Sequence, residues 1–390
     1  MIGLFGSSSK LQLRDPEEIQ AGSGAPALDE RLAAAPDAPA VFLIRPREGA
    51  PYLARTSVLR RRLKRLLGPR AGASHLLNLR AVAERVEYWP VASRLEAMLV
   101  HYHLAVLHFP ETYLEVLKLR MPAYVKLTLA SRFPRTQVTA RLSGGRGFYY
   151  GPFRSRAAAD LFEAQVLELF QVRRCQEDFE PSPEHPGCIY GEMGKCLRPC
   201  QAAVSADEYR AEAERLRDFM ATGGRSLVEP LEAARDRLSQ ELRFEDAARE
   251  HQRIEKVQEM LRLRDELATD IDRLNGVAVT PSVEPGAVEL WFVLAGGWQE
   301  QVRFAPEVVE GKSVSIDHRL REIAGALEVQ RQGVETRQEH AALLARWYYS
   351  TWRDGDWVPF ADLEHLPYRR LVRAVSRQTM KPGEAPATSR

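Results

Sequence analysis

The stretch PAVFLIRPREGAPYLARTSVLRRRLKRLLG, residues 39–68, gives the clearest local pattern in the chain. Two short apolar runs flank a turn that contains Pro and Gly, which is typical of a β-hairpin. In the part that follows, Leu59, Leu63 and Leu66 recur at helical spacing, and the arginines lie on the other faces. A Gly-Pro pair at 68–69 ends the pattern. The stretch therefore predicts a hairpin that leads into a basic amphipathic helix.

Length and composition indicate a globular protein with more than one domain. With 390 residues the chain is long enough for roughly two to four domains of ordinary size. Hydrophobic residues make up 45% of it, and no apolar run approaches the roughly 18 residues that a membrane span needs. The N-terminal stretch lacks the basic segment and long apolar run of a signal peptide. We therefore expect a cytoplasmic protein whose thiols stay reduced.

Hydrophobic periodicity predicts an α/β fold for the first part of the chain, joined to α-helical and smaller α+β parts. Strands are predicted in PAYVKLTL and RTQVTARL, and a hairpin in VELWFVL-AGG-WQEQVRF. In chain order, the predicted parts are a flexible tail (1–35), a small α/β domain (36–118), a basic connector with the cysteines (119–226), an antiparallel helical hairpin (227–265), a small C-terminal α+β domain (271–378) and a second tail (379–390).

Positive charge is concentrated in the first half of the chain, although the net charge is only +2. Residues 55–70 carry seven Arg or Lys and no acid, and no Asp or Glu occurs between Glu115 and Asp160. Two such runs favour a surface for a polyanion such as DNA over a merely solvated basic face. The predicted DNA contacts are Arg55, Arg60, Arg61, Lys64 and Arg135.

All four cysteines fall in one window of 26 residues, 175–200, which we call the cysteine window. Their spacing is C-x12-C-x7-C-x3-C, formed by Cys175, Cys188, Cys196 and Cys200. Disulfides do not suit a cytoplasmic chain. Four thiolates suit either zinc or an iron–sulfur cluster, and four unliganded thiols are the remaining alternative. The window predicts metal ligation by these cysteines, with His185 as a conceivable spare ligand.

Four segments, in this order, resemble UvrC, the incision subunit of the bacterial UvrABC excinuclease, over about residues 36–310. They are residues 39–68, the segment RFPRTQVTARLSGGRGFYYGPFRS, the cysteine window, and LEAARDRLSQELRFEDAAREHQRI. The resemblance implies a GIY-YIG nuclease domain, a connector, an iron–sulfur cluster rather than zinc, and a UVR helical hairpin. It implies nucleotide excision repair, with DNA and the protein UvrB as partners.

The resemblance also implies catalytic positions in the first domain. Tyr52 and Arg62 keep the family's tyrosine and arginine, whereas Phe42, Ala54 and His101 stand where the family has Tyr, Gly and the metal-binding Glu. Phe has no hydroxyl, and Mg²⁺ prefers oxygen ligands to imidazole. The interpretation is a degraded nuclease site with a doubtful divalent metal. The alternative is an active single-incision nuclease with an altered metal site.

Other positions of the nuclease pattern are also changed. The family's terminal Asn falls at Tyr113 or Leu114. The nearest carboxylate, Glu96, is five residues before His101 and so about 140° around the helix, which makes it a poor substitute. The family has a second, RNase H-like nuclease domain that is marked by an Asp-Ile-Ser-His segment. This segment does not occur in the present chain, so the C-terminal domain is interpreted as a remnant.

The segment LRFEDAA carries the UVR resemblance and implies a partner. In the family this hairpin pairs with a matching hairpin of UvrB. The implied contact residues are Phe244, Glu245, Ala247, Ala248 and Ile254. His251 and Gln252 replace the motif's usual Arg-Asp. A different class of function, a UVR-motif metal-binding adaptor with no DNA role, is the alternative.

Overall fold

The computed structural model describes residues 14–22, 25–69, 77–145, 147–305, 308–309, 312–313, 315–327, 329–330 and 332–379. Within these ranges the strands form three four-stranded sheets and one two-stranded sheet. Every strand pair described is antiparallel. The fold is therefore mixed in its helix and strand content, as predicted, but its antiparallel sheets make it α+β.

The N-terminal region is a four-stranded sheet of order β1-β4-β2-β3 with helices on both faces. The predicted hairpin is confirmed, since Phe42 of β2 pairs with Ala54 of β3. Alternation along β2 sends Phe42 towards α1 and α2, and Leu43 towards α3. The elements are β1 Glu17–Gln20, α1 Ala25–Ala34, β2 Ala40–Pro46, β3 Tyr52–Thr56, α2 Leu59–Leu67, β4 Ala83–Pro90, α3 Arg94–His108 and α4 Tyr113–Leu117.

The prediction of a flexible tail over residues 1–35 is wrong for its described part. Ile19 of β1 pairs with Val86 of β4, and Leu28 and Leu32 of α1 are buried against the sheet. Leu28 and Leu32 lie four residues apart, which places both on one helix face. The prediction is based on the Gly, Ser and Pro content of the whole segment, which gives no indication of this short helical pattern. Residues 1–13 lie outside the described ranges.

The connector has its own sheet, of order β6-β5-β7-β8. Its last strand comes from beyond the helical hairpin, because Asp270 pairs with Tyr150. The sequence gives no local sign of this two-residue strand. The elements are β5 Ala123–Leu127, β6 Thr136–Thr139, β7 Phe148–Phe153, α5 Arg156–Val166, α6 Ile189–Glu192, a 3-10 turn Pro199–Gln201, α7 Ala206–Ala221 and β8 Thr269–Asp270.

The predicted helical hairpin is confirmed as α8 Arg225–Gln240 and α9 Phe244–Arg262. Its base joins the core of the connector through Ile254, Val257 and Met260. Its tip is exposed, with Leu242 73% and Phe244 63% accessible. The hairpin is therefore anchored at one end and open at the other.

The C-terminal region is a sheet of order β11-β10-β9-β14 with helices around it. The predicted hairpin is confirmed, since Leu294 pairs with Gly297, and Gly296 takes a positive φ of 77° in the turn. The aromatic segment is core where expected, with Trp347 fully buried. The elements are β9 Gly276–Pro281, β10 Val288–Leu294, β11 Gly297–Phe304, β12 Val308–Val309, β13 Lys312–Ser313, α10 Ile316–Ala326, α11 Val334–Tyr348, β14 Asp356–Pro359 and α12 Tyr368–Thr379.

Helix α11 connects the three regions. Its Leu343, Leu344 and Trp347 share one hydrophobic core with Leu95 of α3 and Tyr149 of β7. The predicted tail 379–390 lies outside the described ranges except for Thr379, which ends α12. Among the described helices, none combines the length and the hydropathy needed to span a bilayer.

Replacing His340 by Asn should flatten the dependence of stability on pH below neutrality. The imidazole of His340 is buried, and its Nδ1 accepts a hydrogen bond of 2.9 Å from the backbone N–H of Trp298. Burial lowers the pKa of His340 from 6.5 to about 3. The unfolded chain binds this proton below about pH 6.5. The group's contribution to stability is therefore complete above pH 6.5 and is lost as the pH falls towards 3.

Chemical unfolding between about pH 4 and pH 6 measures this effect. The free energy of unfolding of the unmodified protein should fall more steeply than that of His340→Asn, by up to about 1.4 kcal/mol per pH unit. The Asn oxygen keeps an acceptor near Nδ1 but does not titrate. His318→Asn is the control, because His318 is exposed on α10. Equal slopes for His340→Asn and the unmodified protein would contradict the prediction.

Candidate functional site

The two retained positions of the nuclease pattern, Tyr52 and Arg62, contact each other. Tyr52 opens β3, and Arg62 lies on α2, where its guanidinium donates a hydrogen bond of 2.8 Å to the Tyr52 hydroxyl. The ring of Phe42 lies 6.1 Å from that of Tyr52 and is fully buried. Arg62 Nε is buried and has no partner among the described residues. The pair is preserved, but Phe42 brings no hydroxyl to it.

His101, at the family's metal position, lies on α3 in positively charged surroundings. It is 9% exposed, and its pKa is lowered to about 4, first by burial and then by the charges of Arg55 and Arg346. The imidazole is therefore neutral at physiological pH. Two guanidinium groups around it would repel a divalent cation as they repel the imidazole's own proton. This place suits an anion better than a metal ion.

Glu96, the nearest carboxylate, has a structural role at the start of α3. Its carboxylate accepts a hydrogen bond of 2.8 Å from the backbone N–H of Ala92, and its own N–H donates to Ser93 Oγ. This is close to the reciprocal capping that often starts helices. Burial raises the pKa of Glu96 to about 7. Its oxygens point to the helix start rather than to His101.

Helix α11 supplies two residues to this site that sequence reasoning missed. Glu339 accepts hydrogen bonds from the hydroxyls of Tyr102 and Tyr113, at 2.5 and 2.6 Å. Burial and the Glu339 carboxylate raise the pKa of both tyrosines. The second residue is Arg346, seven positions after Glu339 and so on the same helix face. This seven-residue spacing is the feature of the sequence from which a shared helix face could have been predicted. Helix α11 therefore contacts α3 and α4 next to His101.

The predicted DNA contacts fall into two places. Arg61 and Lys64 are exposed on α2, and Arg55 is exposed on β3. Arg60, also on α2, is half-buried and donates a hydrogen bond of 2.7 Å to the carbonyl of Ala35. The fifth residue, Arg135, lies in the connector, where its guanidinium contacts Gln176 beside the cysteine window. The structure thus groups four of the five on the N-terminal region.

The four thiols lie close enough to influence one another. Cys196 and Cys200 are buried, Cys175 is half-buried and Cys188 is exposed. Burial, together with smaller contributions from Cys175, Cys188 and Cys200, raises the pKa of Cys196 to about 11. Burial likewise raises the pKa of Cys200. The four thiols therefore lie near enough for their charges to interact.

The sulfur atoms also have N–H donors, which metal–thiolate sites commonly use. The backbone N–H of Arg198 donates to Cys196 Sγ at 3.4 Å, and the guanidinium of Arg173 donates to Cys175 Sγ at 3.5 Å. Across the described ranges, however, no three His, Cys, Asp or Glu side chains are grouped as ligands of one metal ion. The donor chemistry fits a metal or cluster, but the sulfur positions do not form a ligand shell.

The predicted partner contacts on the hairpin are partly accessible. Phe244, Glu245 and Ala248 are exposed near the tip. Ala247 and Ile254 are buried, because their face of α9 turns inward. Ile254 belongs to the hydrophobic core that the hairpin shares with the connector. The prediction is therefore corrected for these two residues, because they are buried within the chain and are not accessible to a partner.

Comparison with known proteins matches part of the chain to a described family and finds relatives over most of it. Residues 123–219 match the family described as the UvrC/Cho excinuclease, middle domain. UvrABC system protein C of Lachnospira eligens is 23% identical over 74% of this chain and 48% of its own length. Those of Caldanaerobacter subterraneus and Moorella thermoacetica are 25% and 26% identical, over 73% and 69% of this chain and 46% and 44% of theirs.

The chain spans about half the length of the curated relatives that it matches. No solved structure matches it. The matched middle-domain segment covers β5 to most of α7, which is the connector with its cysteine window. Residues 123–219 therefore match a UvrC/Cho middle domain, and the chain is similar to UvrABC system protein C over 74% of its length.

Proposed function

We propose that this chain is a cytoplasmic protein of nucleotide excision repair that binds DNA and a UvrB-type partner but does not cut DNA efficiently. The repair role follows from its UvrC relatives. The observation that carries the rest is the surroundings of His101. A neutral imidazole between Arg55 and Arg346 stands where a GIY-YIG nuclease would hold its metal carboxylate. Such a site keeps affinity for phosphate and loses affinity for the cation.

DNA binding is supported by exposed positive charge in the N-terminal region. Arg61 and Lys64 project from α2, where the segment 55–70 has no acidic residue. Contacts of this kind neutralise phosphates and release counterions, so they fix the position of the duplex without reading its sequence. Loss of a catalytic metal leaves these contacts intact.

One observation favours the alternative of an active single-incision nuclease. The Tyr52–Arg62 hydrogen bond keeps two groups that could place and stabilise a phosphate in the transition state. Without a hydroxyl at Phe42 or a carboxylate at His101, this pair has no described group nearby to hold a metal ion. We therefore favour binding over cleavage.

We propose further that Cys175, Cys188, Cys196 and Cys200 hold an iron–sulfur cluster, with zinc as the alternative. The gathered thiols and the N–H donors to Cys175 and Cys196 support this proposal. When bound, such a cluster supplies a covalent joint and a centre able to exchange an electron. The chain itself contributes the buried pocket, since Cys196 and Cys200 are shielded from solvent. Because this window follows the connector sheet and precedes the hairpin, the joint would tie the two together.

The hairpin tip supports a protein partner. Phe244 is a large apolar side chain with 63% of its surface exposed, beside Leu242 with 73% exposed. Buried aromatic anchors carry much of the binding energy in protein interfaces. A matching hairpin, as in UvrB, could cover both residues and leave the base of the hairpin in its own core.

The purified protein should not nick damaged duplex DNA in the presence of Mg²⁺, UvrB and its loading partner. The reason is the missing hydroxyl and carboxylate at Phe42 and His101. Gel analysis of an end-labelled duplex measures incision, with a full-length UvrC as the positive control. Arg62→Ala should change nothing. Metal-dependent nicking that disappears in Arg62→Ala would establish the nuclease alternative instead.

Protein purified without oxygen should be brown and contain iron and sulfide. Cys188→Ser should lower both, because a hydroxyl replaces one ligating thiolate at an exposed position that the core does not need. Absorbance spectra and elemental analysis measure the result. His185→Gln is the control, because His185 lies in the window but is not among the four proposed ligands. Colourless protein with one zinc per chain would exclude the cluster and support the zinc alternative.

Phe244→Ala should weaken binding of the C-terminal hairpin of UvrB at least about tenfold, since it removes the largest exposed apolar contact at the tip. Its thermal stability should change little, because the side chain is exposed. Calorimetric titration measures the affinity. Leu107→Ala is the matched control, an equally exposed apolar residue on α3. If Phe244→Ala binds with unchanged affinity, the tip of the hairpin is not the partner surface.

A further inference from the structure

A cavity of about 750 Å³ lies where the connector meets helix α11. It is separate from the α2 surface and from the cysteine window. Its positive residues come from distant parts of the chain, and none of the described residues that line it is acidic. The cations are Lys118, Arg120, Arg154, Arg156 and Arg346. We call this cavity the basic cleft.

Two of these cations have no role in holding the fold. Lys118 and Arg120 are exposed in the link between α4 and β5, and neither makes an ion pair within the part of the chain that the structure describes. Arg156 lies 3.7 Å from Asp160, and both are exposed, so that pair is weak. Lys118 and Arg120 can therefore turn to a ligand without breaking an ion pair, and Arg156 would give up only a weak one.

The other two cations are fixed in place. The Arg154 guanidinium donates to Asp265 at 2.5 Å and lies 5.7 Å from the centre of the Tyr349 ring. Arg346 donates to the carbonyl of Leu117 at 3.3 Å. Arg154 is partly neutralised by Asp265, whereas Arg346 keeps its full charge beside a carbonyl. The cleft thus combines two guanidinium groups that are held in place, those of Arg154 and Arg346, with two cations at its edge, Lys118 and Arg120, that form no ion pair with a described residue.

The N-terminus of α5 adds to the same field. Ser155 and Arg156 line the cleft and begin this helix of 11 residues. The Ser155 side chain accepts the N–H of Ala158, while the first N–H groups of the helix have no partner inside it. The positive end of a helix favours phosphate oxygens. This feature supports the five cations and does not stand alone.

Arg346 connects the cleft to the N-terminal region. It lines the cleft and also contributes, with Arg55, to the lowered pKa of His101. Arg346 therefore lies near enough to Arg55 of β3 for the two charges to influence each other. Five cations in 750 Å³ are more than a single phosphate requires, whereas successive phosphates of a strand would use them all.

We propose that the basic cleft binds the sugar-phosphate backbone of DNA. This proposal rests on the proposed DNA binding but assigns a new site to it, made jointly by the connector and the C-terminal region. Contacts in the cleft bind phosphate rather than base edges, so they carry no sequence preference.

The test removes the two free cations in the variant Lys118→Asn/Arg120→Gln. Asn suits position 118 because Lys118 has a φ of 48°, a conformation that Asn tolerates well. Fluorescence anisotropy with a labelled duplex measures affinity over a range of salt concentrations. We expect affinity to fall about tenfold near 0.1 M salt, and the slope of log K against log salt to fall by about 1.8, for two lost phosphate contacts.

Two further variants make the result specific. Lys256→Gln/Arg262→Gln removes the same charge from the exposed face of α9 and should bind DNA as the unmodified protein does. Arg61→Gln/Lys64→Gln tests the α2 surface. If only the α2 variant is weakened, the cleft proposal is overturned and the proposed function stands. If the unmodified protein shows no salt-dependent binding, DNA binding is itself overturned, together with the cleft.

A second measurement does not depend on the folding of a charge variant. A photo-crosslinking amino acid at Met121, which lines the cleft, should attach to a DNA strand on illumination. The same amino acid at Leu107 on α3 is the control. Crosslinking at Met121 that salt suppresses supports the cleft. Equal or absent crosslinking at the two positions overturns it.

Discussion

The carboxylate of Glu339 is the contact on which the arrangement of the regions depends. It is buried and accepts two tyrosine hydroxyls, one from α3 and one from α4, across more than 220 positions of sequence. A buried carboxylate without donors would be costly, so α11 must stay against these helices. This contact fixes the hydrophobic core that α3, β7 and α11 share. It also sets Arg346 beside His101 and at the wall of the basic cleft.

The same electrostatics explain what the N-terminal region can and cannot do. A catalytic cation needs carboxylates, and His101 between Arg55 and Arg346 offers the opposite field. A phosphate needs positive charge and N–H donors, and both are present there. In the function that we propose, the imidazole of His101 and the nearby guanidinium of Arg346 on α11 act in one direction. Both favour phosphate over a cation at this place, which is the physical basis of the proposed function.

Local patterns were enough to predict much of the fold. The hairpin of β2 and β3, the helix α2 and the pair α8–α9 each bury a stripe whose spacing is visible in the sequence. What escaped prediction depends on distant partners. Strand β1 needs β4, strand β8 needs β7, and the Glu339 contact joins residues that no local window contains. The spacing of Glu339 and Arg346 shows that they share one helix face, but it does not show which residues that face contacts.

The anchoring of the helical hairpin has a mechanical consequence. Helix α8 has 16 residues, which gives a length of about 24 Å from the shared core to the tip. The base of the hairpin packs into the core of the connector through Ile254, Val257 and Met260 of α9. The chain then returns to the connector sheet through β8. The proposed partner at Phe244 would therefore be held by a stiff arm rather than by a flexible tether. Under the proposed function, the geometry of the connector would set the direction from which that partner approaches DNA.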